Sequence, residues 1–125
     1  MNRLRLLLLL IAALAMPGVA ATVDRDTAQL ELTQAITSVQ AADRDDAATY
    51  APGELDEARV MLDSAQAAAD RRDWTSTAVY AERAKMAGDL AASRSRQHRA
   101  EAATAEIERS VETLRRQLTS YGGAP

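Results

Sequence analysis

A single histidine, His98, stands in the run Ser95-Arg96-Gln97-His98-Arg99 and is the first residue to ask about proton transfer. The chain contains no cysteine, and no acidic residue sits near His98 at a spacing typical of a catalytic triad. A lone imidazole among arginines reads as a solvated surface residue. Neither a glycine-rich phosphate loop nor a His-Glu-x-x-His zinc pattern occurs. Asp43-Arg44-Asp45-Asp46 gathers three carboxylates, but it lacks the glycine and the distal bidentate glutamate of an EF-hand loop. It is read as a solvated helix end. No catalytic residue, metal or cofactor is therefore expected.

Arg94, Arg96 and Arg99 form the one local basic cluster, a candidate contact for an anionic partner such as a lipid phosphate or an acidic protein surface. A charged helix face is the plainer reading of such a run. Nucleic acid is not an expected partner. The formal net charge is −3, and no aromatic residues interleave with the arginines.

These residues must be positioned by helices. Leu55, Ala58, Leu62, Ala65 and Ala69 recur at steps of three and four, and so do Trp74, Ala78, Ala81, Ala84 and Gly88. Asp70-Arg71-Arg72-Asp73 joins the two stripes, which predicts an antiparallel helical hairpin. Pro52 suits a first helical position, Glu54, Asp56 and Glu57 favour a helix start, and Asp73 is the expected N-cap of the second arm. Ahead of the hairpin, Leu32, Ile36 and Val39, flanked by Ala28, Ala35 and Ala42, mark a further amphipathic helix, with Thr22, Asp24 or Asp26 as its cap. The hydrophobic share is 47% but the aromatic share only 3%, so alanine makes much of the core and buries little area per residue.

Gly88 is the sole breaker between Trp74 and Ser120, which predicts one helix of about 70 Å if it is continuous. Its far half carries a second stripe: Ala100, Ala103, Ile107, Val111, Leu114, Leu118 and Tyr121. Ile107, Val111, Leu114 and Leu118 are the candidate interaction seam. Glutamates and arginines alternate around it, as in a short coiled coil. Two arrangements satisfy it: the N-terminal helix folds back along the seam, or a partner helix or second copy covers it. The expected fold is all-α, an antiparallel hairpin with a long C-terminal helix and an added N-terminal helix, forming a three-helix bundle or a coiled-coil-like body. It occupies residues 22–121, with 122–125 a flexible tail.

Residues 1–21 read as an address. Arg3 and Arg5 precede the apolar run Leu6 to Met16, Pro17 and Gly18 break it, and Val19-Ala20-Ala21 offers small residues for cleavage after Ala20 or Ala21. The apolar run falls short of the ~20 residues a membrane span needs. A cleaved secretory signal and a periplasmic product are expected, touching the membrane only during export. The alternative is an inner-membrane anchor formed by an uncleaved signal.

Tyr50-Ala51-Pro52-x-Glu54-Leu55, its alanine stripe, and Asp70-x-x-Asp73-Trp74 with Ala78, Ala81 and Ala84 resemble a bacterial envelope family. Its defining domain is alanine-rich, helical and of unknown function, and often precedes an OmpA-like peptidoglycan-binding domain. The resemblance covers roughly Ala28 to Ala92 and implies an exported helical protein with no assigned site residues. Lipidation and peptidoglycan binding are not carried over, since no cysteine follows the leader and no OmpA-like segment is present. The hairpin is also similar to a tetratricopeptide unit, but no second copy recurs at a fixed period. The expected function is a non-enzymatic scaffold or interaction protein of the cell envelope, binding a protein partner or itself through the C-terminal helix. The alternative is a periplasmic holdase-type chaperone or a tetratricopeptide-like adaptor.

Overall fold

The computed structural model describes residues 22–123; the expected leader and the last two residues of the expected tail lie outside them. The described residues form four helices, α1 (Arg25–Arg44), the short α2 (Ala47–Tyr50), α3 (Pro52–Asp70) and α4 (Trp74–Gly122). No strand occurs among them. The fold is all-helical, and α4 is its axis: α1 and α3 pack mainly against α4 and touch each other only lightly.

Capping chemistry sets the boundaries. Asp24 begins α1, its side chain accepting from the Thr27 N–H at 3.0 Å. Asp73 begins α4 in the same way, accepting from the Ser76 N–H at 3.1 Å. These hydrogen bonds hold both carboxyls below their ordinary range. Pro52 occupies the first turn of α3, where its missing N–H costs nothing. At the other end of α3, Arg72 takes the left-handed conformation with φ 58°. Its N–H donates to the Ala69 carbonyl at 2.9 Å, and the Asp73 N–H reaches the Ala68 carbonyl at 3.0 Å, which is the Schellman pattern. The returning chain covers Ala68, which is buried, while Ala69, expected in the stripe, is half-buried.

The core is built from small side chains. One cluster joins Val39, Ala42, Ala47, Ala51, Leu55, Ala58, Ala91 and Ala92, and Leu55 is its largest fully buried member. A second joins Ala35, Ala65, Ala81 and Ala84 toward the turn. Small residues let helix axes approach closely. At Gly88 the approach is close: an added Cβ would lie 2.9 Å from the Ser38 carbonyl carbon and 3.0 Å from the Val39 nitrogen. Beside it, the Ser38 hydroxyl donates to Asp89 Oδ1 at 2.8 Å, tying α1 to α4. Buried hydroxyls find partners elsewhere as well: Thr77 Oγ1 donates to the Asp73 carbonyl at 2.7 Å.

Helix α4 is continuous over 49 residues, whereas α1 has 20 and α3 has 19. At about 1.5 Å per residue, α4 runs far beyond both. The arrangement in which the N-terminal helix folds back along the seam is not adopted. Helix α1 packs instead on the first half of α4, where Ala81, Ala84, Gly88 and Ala91 present little bulk. The helix also extends through Gly122, one residue into the expected tail, with Gly123 as its C-cap.

Two glycines respond oppositely to alanine. Gly88→Ala drives a methyl into α1 backbone and is expected to cost about 1–2 kcal/mol despite its better helix propensity. Gly53→Ala meets nothing within 4 Å and is expected to raise the thermal midpoint. Thermal melts of both variants check the signs; an unchanged midpoint for Gly88→Ala would contradict the close approach. A second series follows acidity. The depressed Asp24 and Asp73 carboxyls stabilise the fold above the carboxylate range and lose that contribution as pH falls through it. In melts across that range, Asp73→Asn is expected to flatten the acid decline, since the amide still caps without titrating.

Candidate functional site

Beyond Ser95 every described residue of α4 is exposed. Beyond the Arg99–Asp46 pair, no hydrogen bond or ion pair joins α4 to another described element. Intrahelical pairs support it: Gln97 donates to Glu101 at 2.9 Å, and Arg116 to Glu112 at 3.2 Å. In proteins most helical stability comes from packing an apolar face rather than from propensity. An exposed helix of this kind calls for an external contact.

The seam residues stand out from the rest of the surface. Relative exposure is 64% for Ile107, 44% for Val111, 59% for Leu114, 72% for Leu118 and 83% for Tyr121. Single exposed apolar residues are ordinary, but a continuous stripe of five on one helix face marks an interaction surface. Ala100 and Ala103 extend the same side of the helix toward the body.

The arginines of the basic cluster sit where the helical body ends, and each is matched within the chain. Arg94 faces Glu54 at 3.9 Å, Arg96 pairs with the Asp45 carboxylate, and Arg99 with Asp46 at 3.3 Å. Ser95, fully buried, donates its hydroxyl to the Asp45 carbonyl. Asp43, the third acid of that run, binds Arg59 of α3 at 2.7 Å. Through Asp45–Arg96 and Asp46–Arg99, the acidic run and the basic cluster, far apart in sequence, form a latch. Asp46 sits at φ 62°, a left-handed conformation that turns α1 into α2 and aims its carboxylate at α4. The spacing of these residues held no signal for this; it depends on α1 ending level with Ser95.

His98 lies on the exposed side of this latch, with Nδ1 3.2 Å from Glu101. The hydrogen bond from Gln97 and the contact with His98 hold the Glu101 carboxyl below its ordinary range. Among the described residues, no three His, Asp or Glu side chains converge as a metal site would require. No described helix is long and apolar enough to cross a membrane.

A second apolar surface lies between α3 and α4, where Met61, Met86 and Leu90 line a groove edged by Glu57 and Arg83. Met86 and Leu90 are exposed. Sequence reading missed this groove because these residues lie off the Gly88 stripe and only the crossing of two helices brings them together. At the other end of the body, the Arg25 guanidinium sits over the Trp74 ring at 5.8 Å.

The seam and the core should respond differently to truncation. Trp74 is the only tryptophan and belongs to the body, so its fluorescence reports unfolding of the body. Leu114→Ala is expected to change that stability by less than about 0.5 kcal/mol, while Leu55→Ala costs about 2–5 kcal/mol. Urea titration followed at Trp74 distinguishes them. An equally large loss for Leu114→Ala would mean that the stripe is packed in the body.

The model of a domain of unknown function, DUF4398, matches residues 30–107, from within α1 to the first large residue of the exposed stripe. No curated protein and no solved structure matches the chain.

Proposed function

The chain belongs to the DUF4398 family, a domain of unknown function, and we propose that it is an exported, non-enzymatic helical scaffold of the bacterial cell envelope. The observation that carries this reading is the exposed stripe Ile107-Val111-Leu114-Leu118 on a helix that no other described element covers. The body formed by α1 to α3 fixes one end of α4, and the free end presents the stripe to a protein partner. Export is supported by the tripartite pattern of residues 1–21, and the similarity to envelope proteins noted in the hairpin agrees with it. A non-catalytic role is supported by the use made of the reactive side chains. His98 is engaged with Glu101 on an exposed face, and Asp43, Asp45 and Asp46 are engaged with arginines.

The second apolar groove gives a holdase-type chaperone some footing. Methionine is adaptable, and Met61 and Met86 beside Leu90 offer a surface for irregular apolar segments. That reading expects suppression of client aggregation at near-stoichiometric ratios, weakened by Met86→Ser.

In-cell photo-crosslinking from a probe at Leu114 tests the scaffold reading. A protein adduct is expected, and intact-mass measurement of the recovered chain is expected to show the leader removed. A probe at Leu114 and another at Leu118 that both capture nothing would overturn the seam as a binding surface. A chain recovered with Met1 in place would overturn cleavage of the leader.

A further inference from the structure

The exposed stripe follows a regular alternation. Ile107, Val111, Leu114, Leu118 and Tyr121 are separated by four, three, four and three residues, and the same alternation runs back to Thr104 and Ala100. The large apolar positions span two heptads, and Thr104 and Ala100 carry the same spacing through one more. In this register Val111 and Leu118 are a positions, while Ile107, Leu114 and Tyr121 are d positions. Flanking them, Glu108 and Arg115 occupy e positions, and Ser110 and Gln117 occupy g positions. The intrahelical pair Glu112 to Arg116 falls on the outer side, at b and f. Among the described residues neither Glu108 nor Arg115 has an ion-pair partner.

We infer that the occupant of this seam is a second copy of the chain, bound antiparallel; the inference rests on the reading of the stripe as a protein-binding face. Charge complementarity chooses both partner and direction. In an antiparallel pair, a layers face d layers, and e positions face e positions across the seam. Setting Val111 beside the partner's Leu114 sets Ile107 beside the partner's Leu118. That single register then places Glu108 against the partner's Arg115, and by symmetry Arg115 against the partner's Glu108. Ser110 meets the partner's Gln117 on the opposite flank. Glu101, the remaining e acid, falls opposite the partner's Gly122 and already accepts from its own Gln97 at 2.9 Å. A parallel pair would place g against e, joining Ser110 to Arg115 and Ala103 to Glu108, with no ion pair. The antiparallel register also sends the two helical bodies to opposite ends. The end of one α4, at Gly122, reaches only the partner's Ala103, short of the Arg99–Asp46 latch that closes the partner's body.

Sedimentation equilibrium on protein purified from cells expressing the full chain reads the assembly directly. The chain is expected to sediment as a dimer. Glu108→Arg alone and Arg115→Glu alone each set like charges against each other twice, and each is expected to raise the dimer dissociation constant on the order of tenfold or more. An equimolar mixture of the two single variants is expected to recover dimer, as is the double variant Glu108→Arg with Arg115→Glu, because opposite charges again meet. A wild-type chain that stays monomeric to hundreds of micromolar would overturn the inference. So would single variants that dimerise as well as the wild type, or a mixture that recovers nothing. A monomeric chain whose Leu114 probe still captures another protein would remove the second copy and leave the scaffold reading standing. A monomeric chain with no adduct would remove both.

Discussion

The contact between Gly88 and the backbone of Ser38 and Val39 is the constraint on which the rest of the structure depends. It brings α1 against α4 so closely that the facing positions must be small, and Ala35, Ala42, Ala81, Ala84 and Ala91 meet that demand. Close approach recovers dispersion contacts that alanines could not supply across an ordinary helix spacing. The same geometry divides α4 in two. Its small-residue face ends at Ser95, and the stripe of large apolar residues on its far half begins at Ile107. Large side chains could not enter the tight crossing; Met86 and Leu90 lie off that face, and the stripe from Ile107 lies beyond it, on helix that no other described element covers.

The border between the two halves is fixed electrostatically. The turn after α1 carries Asp45 and Asp46, and both reach arginines on the first turns of α4 beyond the small-residue face. Each half-exposed pair contributes little, about 0–1 kcal/mol. Together with the buried hydroxyl of Ser95 on the Asp45 carbonyl, they hold the end of α1 at one level of α4. That level decides how much helix projects. A longer α1 would cover the start of the stripe, and a shorter one would uncover the alanine face.

Most of the secondary structure was legible because local signals agree. Pro52, the Asp73 cap and the stripes between Leu55 and Gly88 all point to one hairpin, and the structure contains it. Helix was legible on both sides of Gly88, but continuity through that glycine was left open and the structure supplies it. What pairing and depth decide was not legible. The arginine cluster and the acidic run looked like separate surface features, because the 51- and 53-residue separations of their pairs carry no periodic signal. Ser95, in a run read as an exposed charged face, is fully buried, its hydroxyl satisfied by the Asp45 carbonyl that only the fold brings near. Whether α1 would cover the stripe was equally open, because apolar spacing alone suits either half of α4. The glycine at 88 settles it through steric bulk rather than hydrophobicity.

The projection of α4 beyond the body is the claim on which the functional reading stands, and a distance within one chain measures it. The chain has no cysteine, so spin labels at Ser93→Cys and Thr119→Cys, both exposed positions, mark the two sides of the border cleanly. Pulsed electron paramagnetic resonance on labelled protein diluted with unlabelled chain then reads that one separation. A continuous projecting helix gives a single narrow distance of about 40 Å. A distance below about 20 Å, too short for that many helical residues, would mean that the chain folds back on itself and covers its own stripe.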